Sequence, residues 1–225
     1  MSLDAFRWLL GGVMLLELML GIFLSNGAGL GVSAEWANEA YQFAAGSSVW
    51  SLGLAVLNIC LYAGLMKATK ASTGKPVIGV FKRWLAFWID FVWVMFSVSP
   101  VLGLLPVFLE AKHTGHFVWS FERSTRAPTD IPVAIFAGIV LFGALLFYFA
   151  IPILCARPSP GACLLGYQVL PAEQESLTLG RAMRRSLMGF LAVCCAPLAP
   201  FVDGTNLLKV WLDDRFGTRT VTLKS

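Results

Sequence analysis

Charge is scarce in this chain of 225 residues. Asp, Glu, Lys and Arg make up 13% of it, where an ordinary soluble domain carries about 25%. With 57% hydrophobic residues and a mean hydropathy of +0.74, that shortage points away from a soluble fold. The sequence also lacks the short motifs of common chemistries: it has no G-x-S-x-G, no Walker-type loop and no H-E-x-x-H. No enzyme activity and no cofactor are therefore expected. Cysteine occurs at five positions, Cys60, Cys155, Cys163, Cys194 and Cys195, without a C-x-x-C pair or a histidine at metal-ligand spacing. These read as reduced thiols that fill space in or near apolar helices. The two histidines, His113 and His116, would need further ligands such as Glu110 or Glu122 to hold a metal, and no metal site is expected. The net charge of +4 is not gathered into a basic patch with interleaved aromatics, which excludes nucleic acid and leaves the lipid bilayer as the expected partner.

What the sequence has instead is long apolar runs. About 20 mostly apolar residues cross the hydrocarbon core of a bilayer. Trp8 to Leu24, Val49 to Met66, Trp84 to Leu109 and Ile131 to Leu154 reach or approach that length. The first could be a signal peptide, but it exceeds the 7 to 15 residues of a signal core, Glu17 interrupts it and its flanking cation is Arg7 beside Asp4. A retained span is the better reading. A fifth apolar stretch, Ser186 to Val202, is broken by Pro197 and Pro200 and resumes after Asp203.

Orientation follows from where Lys and Arg concentrate. Lys67, Lys70, Lys75, Lys82 and Arg83 lie between the second and third runs, and Arg157, Arg181, Arg184 and Arg185 follow the fourth. The connection between the first and second runs has Glu35 and Glu39 and no Lys or Arg, and the loop before the fourth run mixes Lys112, Arg123 and Arg126 with acids. The basic loops are expected in the cytoplasm, with the N-terminus inside, in a bacterial inner membrane. Trp84, Trp88 and Trp93 then fall near the cytoplasmic interface and Trp119 near the other.

Toward the C-terminus, Leu164 to Leu170 and Thr218 to Leu223 read as short strands, the second alternating Thr218, Thr220 and Thr222 with Arg219, Val221 and Leu223. Strands that pair must lie on one side. Residues 186 to 212 would then enter the membrane and return, turning at Pro197 to Asp203, since 27 residues are too few for two full helical crossings at about 1.5 Å each. A single full crossing is the competing reading. The expected fold class is an all-α polytopic membrane protein with four transmembrane helices, a re-entrant or fifth helix, and a small cytoplasmic two-strand element.

Four short motifs occur in order: Arg83-Trp84-Leu85-Ala86-Phe87-Trp88-Ile89-Asp90, Ser159-Pro160-Gly161-Ala162-Cys163-Leu164-Leu165-Gly166-Tyr167-Gln168-Val169, Gly180-Arg181-Ala182-Met183-Arg184-Arg185, and Leu212-Asp213-Asp214-Arg215-Phe216-Gly217-Thr218. Together they resemble the RDD family of bacterial membrane proteins, named for an arginine and two aspartates, which map here onto Arg83, Asp90 and Asp214. The resemblance covers Pro76 to Ser225, so residues 1–75 read as an added transmembrane hairpin and 76–225 as an RDD-like membrane domain. Ala162 stands where the family usually has a basic residue, and Asp213 where a histidine is common. The resemblance implies an integral membrane domain of poorly defined activity, with sodium/proton antiport suggested for some members.

The charges themselves invite two readings. Arg83 and Asp90 share a helix face with Ala86 between them, about 10 Å apart along the axis, too far for a direct pair. Asp90 falls inside the apolar region, where an ionised acid costs about 2.5 to 3.5 kcal/mol. A pairing of Asp90 with Arg181, Arg184 or Arg185 is expected, the small Ala86 permitting close approach, while Pro158, Pro160 and Gly161 read as a tight turn. Asp90 is either a structural clamp or a site that exchanges a proton or monovalent cation. Glu17 and Asn58 are expected to meet at mid-depth as a hydrogen-bonded pair. Asp214, Arg215, Gly217 and Thr218 read as a staple, with Asp214 receiving Arg157 or Arg185. Two functions follow as expectations: a non-enzymatic module that assembles with or regulates other membrane proteins, itself included, or a secondary cation/proton transporter using Asp90.

Overall fold

A computed structural model describes residues 3–24, 31–37, 40–68, 80–125, 131–171, 177–195, 213 and 215–223. Helices dominate: α1 (Leu3–Leu24), α2 (Val49–Ala68), α3 (Val80–Thr114), α4 (Ile131–Leu154), the short α5 (Pro160–Leu164) and α6 (Leu179–Cys195). Among the described residues, three stretches are long and apolar enough to cross a membrane, Val49–Lys67, Phe81–Thr114 and Pro132–Leu154. Only 22% of the window in α2 and 17% of that in α4 is buried within the chain. Such helices turn their apolar side chains outward, which is the arrangement a hydrocarbon solvent favours and water does not.

The third helix is longer than its apolar run suggests. It has 35 residues and continues through Pro100 and Pro106, which membrane helices tolerate because neighbours re-satisfy the freed backbone groups. Its rise of roughly 52 Å exceeds a core of about 30 Å, so the helix is longer than an upright crossing needs.

The chain divides into two compact units. One comprises Val13–Cys60 and Trp93–Ala144. It contains an antiparallel sheet in the order β1-β2-β3, from Gly31–Ala37, Ala40–Gly46 and Ser120–Thr125. This corrects the expectation of an all-α fold with a single two-strand element. β1 and β2 are rich in Ala and Gly, which have low sheet propensity. It is the pairing across distant sequence, Ala44 opposite Glu122 and Phe43 opposite Arg123, that makes them strands. Phe43, 1% exposed, packs at 6.0 Å from the ring of Phe121. The shared sheet also places the α1–α2 and α3–α4 connections on the same side of the chain.

The other unit comprises Met1–Gly12, Leu61–Val92 and Leu145–Ser225. It holds β4 (Tyr167–Pro171) and β5 (Thr218–Thr222), an antiparallel pair with Val169 opposite Thr220. The expected two-strand element is therefore present, but its first strand begins at Tyr167 and not at Leu164, which ends α5. A Ser-Pro-Gly start explains the difference: Ser159 caps the helix, accepting from the Ala162 backbone N–H, and Pro160 sits in its first turn, where a missing N–H costs nothing. Of the proposed re-entrant segment, 186–195 continue α6, and 196–212 lie outside the described residues.

The sheet of the first unit is testable by cross-linking. Cysteines replacing Ala44 and Glu122 face each other across an antiparallel ladder, about 4.5 to 5.5 Å apart at Cα, within disulfide range. The double variant is expected to lose labelling by a water-soluble maleimide on mild oxidation and regain it on reduction. The pair at Ala44 and Ser124, two residues out of register, should stay labelled.

Candidate functional site

Asp90 of α3 lies in the second of these units and is 2% exposed. Its Oδ1 accepts from the Tyr148 hydroxyl of α4 at 2.9 Å and from the Gly161 backbone N–H at 2.7 Å. Its Oδ2 accepts from the Ser159 hydroxyl at 2.5 Å. Two of the three donors belong to the start of α5, so one carboxylate ties the Ser-Pro-Gly turn onto α3 while a third donor ties it to α4. Neutral donors of this kind share out a carboxylate's charge without a cation.

The approach of α5 to α3 is as close as backbones allow. A Cβ at Gly161 would lie 2.3 Å from the Ala86 carbonyl oxygen and 3.0 Å from Asp90 Cγ. Gly161 and Ala86 are thus the two small residues that let Asp90 reach the turn. Tyr167 of β4 and Ala162 of α5 pack over Ala86, with Leu165 and Val169 around them. Aromatic side chains brace the same helices. Tyr62 of α2 stacks on Tyr148 with ring centroids 4.9 Å apart and donates its hydroxyl hydrogen to the Tyr148 carbonyl at 3.0 Å. Phe87 stacks on Phe149 at 5.2 Å and meets Phe190 of α6 edge-on at 5.7 Å.

A second polar cluster centres on Asp213. Arg83 donates to its Oδ2 and Arg185 to its Oδ1, each at 2.9 Å. The Thr220 hydroxyl donates to Oδ2 at 2.9 Å and the Thr218 hydroxyl to Oδ1 at 3.2 Å. Both hydroxyls also accept, Thr218 from Arg185 Nε at 2.8 Å and Thr220 from Arg83. The two threonines are two apart in β5 and so share a face of the strand. α3, α6 and β5 are thereby drawn to one carboxylate. Burial alone would raise the Asp213 carboxyl, but the guanidiniums of Arg83 and Arg185 prevail and hold it below its usual range.

A family model, that of the RDD family, matches residues 77–216. The chain belongs to the RDD family. No curated protein and no solved structure matches it. The matched stretch of this RDD protein contains Asp90 with its three donors and Asp213 with its two arginines, but not Thr218 and Thr220, nor α1 and α2, which supply Tyr62, Glu17 and Asn58.

The structure brings together some of the residues singled out from the sequence and separates others. Arg83 and Asp90 do not pair, as their spacing implies, and each has its own partners. The expected pairing of Asp90 with the arginine row is overturned: Arg185 is taken by Asp213, Arg181 and Arg184 are on the exposed face of α6, and the oxygens of Asp90 are met by hydroxyls and a backbone amide. Asp214 lies outside the described residues, and the acid that receives Arg185 is its neighbour Asp213, the position noted for departing from the family pattern. Arg157 does not reach that acid, and its Nη1 is buried without a hydrogen-bond partner. Arg215 is exposed, Gly217 takes φ 60° to start β5, and Thr218 is 5% exposed. Glu17 and Asn58 are both buried and meet side chain to side chain, while Glu17 Oε1 and both amide atoms of Asn58 lack a partner at close hydrogen-bond distance.

Tyr148, Ser159, Thr220 and Arg7 escaped notice as site residues. Ser159 was marked by its place before Pro-Gly, and Thr220 by the alternation of β5. Nothing local marks Tyr148, one aromatic among many in α4. Arg7 donates from Nε to the Cys163 carbonyl at 2.9 Å, which fastens α1 to the end of α5. The Cys163 thiol below that carbonyl is pushed up to about 11 by burial, against the opposing pull of Arg7. It stays a thiol at neutral pH and is inert packing. Among the described residues no three His, Cys, Asp or Glu side chains gather as metal ligands.

Two predictions follow from this geometry. Gly161→Ala drives a methyl group into the Ala86 carbonyl and is expected to destabilise the chain by about 1–3 kcal/mol, read as a lowered unfolding midpoint in detergent. Asp213→Asn deprives the buried Arg185 and the partly buried Arg83 of their carboxylate and is expected to cost about 3 kcal/mol, the lower end of the range for a broken buried pair. Because the folded chain holds Asp213 below its unfolded value, the cluster contributes fully above pH about 4 and loses its contribution as pH falls through the folded value. Unfolding followed from pH 7 to pH 3 should show this acid loss in the wild type and a smaller one in Asp213→Asn.

Proposed function

We propose that this RDD protein is a non-enzymatic module of a bacterial inner membrane that assembles with, or regulates, other membrane proteins. The observation that carries the reading is the state of Asp90: all three of its hydrogen bonds go to Tyr148, Ser159 and Gly161, groups that join helices. The Asp213 cluster has the same character, because its donors join α3, through Arg83, and α6, through Arg185, to two threonines of β5. Large apolar side chains such as Ile139, Phe142 and Phe147 of α4 and Val56 and Ile59 of α2 are exposed, and offer lipid or a neighbouring helix a surface.

The proposed topology has four spans, α1 to α4, with the N-terminus in the cytoplasm. Lys67, Lys82, Arg83 and Arg157 flank the side that carries β4 and β5, in keeping with the positive-inside bias. The pairing of β4 with β5 favours a segment 186–212 that enters the membrane and returns over one that crosses. The competing function is cation/proton transport through Asp90, and what favours it is the Tyr148 hydroxyl at 2.9 Å, a possible proton partner for an intramembrane acid.

The two functions separate in proteoliposomes holding the full chain or Asp90→Asn, each checked for folding, under imposed sodium and proton gradients. The assembly reading expects no cation-dependent proton movement in either. Movement in the wild type that disappears in Asp90→Asn would replace it with transport.

A further inference from the structure

The packed face of α1 runs Phe6, Leu10, Met14, Glu17, and its neighbours Leu15, Leu16, Leu18 and Met19 are all exposed. The acid therefore sits on an otherwise apolar inward stripe, 1% exposed, in a helix whose other faces are oily. The packed face of α2 runs Ser51, Ala55, Asn58, Leu65, with Val56, Leu57 and Ile59 turned out, and Asn58 is 0% exposed. Both residues belong to one compact unit, and Asn58 is the side chain that acts on Glu17. Yet Glu17 Oε1, Asn58 Oδ1 and Asn58 Nδ2 have no hydrogen-bond partner.

Three orphan polar atoms between two apolar helices call for a ligand. Each costs about 1–3 kcal/mol if left unmet, and the great majority of such atoms in folded proteins have a partner, water or an ion included. A partner protein is excluded by burial, since neither side chain reaches the surface. The occupant must be small. It must also be positive: the other charged groups of α1, Asp4 and Arg7, are tied to each other near its start, and on α2 the charged residue among those described is Lys67, in the last turn. Within the rest of the unit, the charged side chains Glu110 and Lys112 stand at the far end of α3, Glu122 is exposed on β3, and Arg123 and Glu35 lie on the sheet, opposite Phe43 and Gln42 of β2. One carboxylate balances one unit of charge, and the absence of any three-ligand group among the described residues does not suit a divalent metal. Carboxylate and amide oxygens are hard donors.

We propose that Glu17 and Asn58 form an intramembrane site for one small monovalent cation, either a proton held with a bridging water or an alkali ion. The site lies outside the family match and is independent of Asp90, so it stands whether or not the assembly reading does. A bound charge there would make the α1–α2 contact sensitive to proton or salt concentration, which gives a regulatory module an input.

The test uses the full chain in nanodiscs at neutral pH, compared with Glu17→Gln, Asn58→Leu and Asp90→Asn. In the proton arm, infrared spectra of the wild type contain a protonated carboxylic C=O band that shifts in deuterium oxide, disappears in Glu17→Gln, survives in Asp90→Asn and moves in Asn58→Leu. In the alkali arm, no such band is seen, and replacing choline by sodium or potassium raises the unfolding temperature of the wild type and of Asp90→Asn but not of Glu17→Gln or Asn58→Leu. Either pattern supports the site. A Glu17 carboxylate band insensitive to every cation, or a band and cation response unchanged in Asn58→Leu, overturns it. If Glu17→Gln does not fold, Asn58→Leu alone decides.

Discussion

The carboxylate of Asp90 is the hinge of this structure's polar chemistry. A turn of backbone between α4 and β4 must end one helix, start another and reach a strand, and at a membrane helix end its N–H groups need partners. Asp90 supplies them from within α3, at the cost of burying an acid. That cost is bearable because three donors converge on it. The glycine and alanine that let them converge are consequences of the same constraint: with a side chain at Gly161 the turn could not lie on α3 at all.

From that contact the rest of the unit follows. With α5 fixed, β4 is fixed; β5 can pair with it only if the chain's end is brought back, and the Asp213 cluster does this by holding Arg83, Arg185 and two threonines of β5 on one carboxylate. The two acids play different electrostatic parts. Asp90 is held by neutral donors, whereas Asp213 lies between two cations. The first arrangement fixes backbone geometry and the second fixes which elements meet. In both, every carboxylate oxygen accepts at least one hydrogen bond from another element. The Glu17–Asn58 pair is the contrast, buried in the same way but unsatisfied.

Much of this was legible in the residues. Long apolar runs set the helices of α2, α3 and α4, because no other arrangement of such runs avoids water and still satisfies the backbone. The alternation Thr218, Thr220, Thr222 marked β5, and the Ser-Pro-Gly and Arg-x6-Asp patterns marked where the family's polar residues lie. What could not be read was pairing. Charge complementarity pointed Asp90 to the arginines, but hydroxyl and amide donors are present everywhere in a sequence and carry no charge to betray them. Asp213 stands where the family commonly has a histidine, and an acid at that position suits two arginines.

The sequence by itself determined that this is a largely helical membrane protein of the RDD family with a few acids in apolar surroundings, since hydropathy and motif order are local properties. Only the tertiary structure decided that Ala- and Gly-rich connections form a sheet, that Asp90 binds a turn, and that Asp213 gathers the arginines. Those outcomes depend on residues tens of positions apart meeting at hydrogen-bond distance, and a pairing of that kind is settled by packing, not by any one segment's own preference.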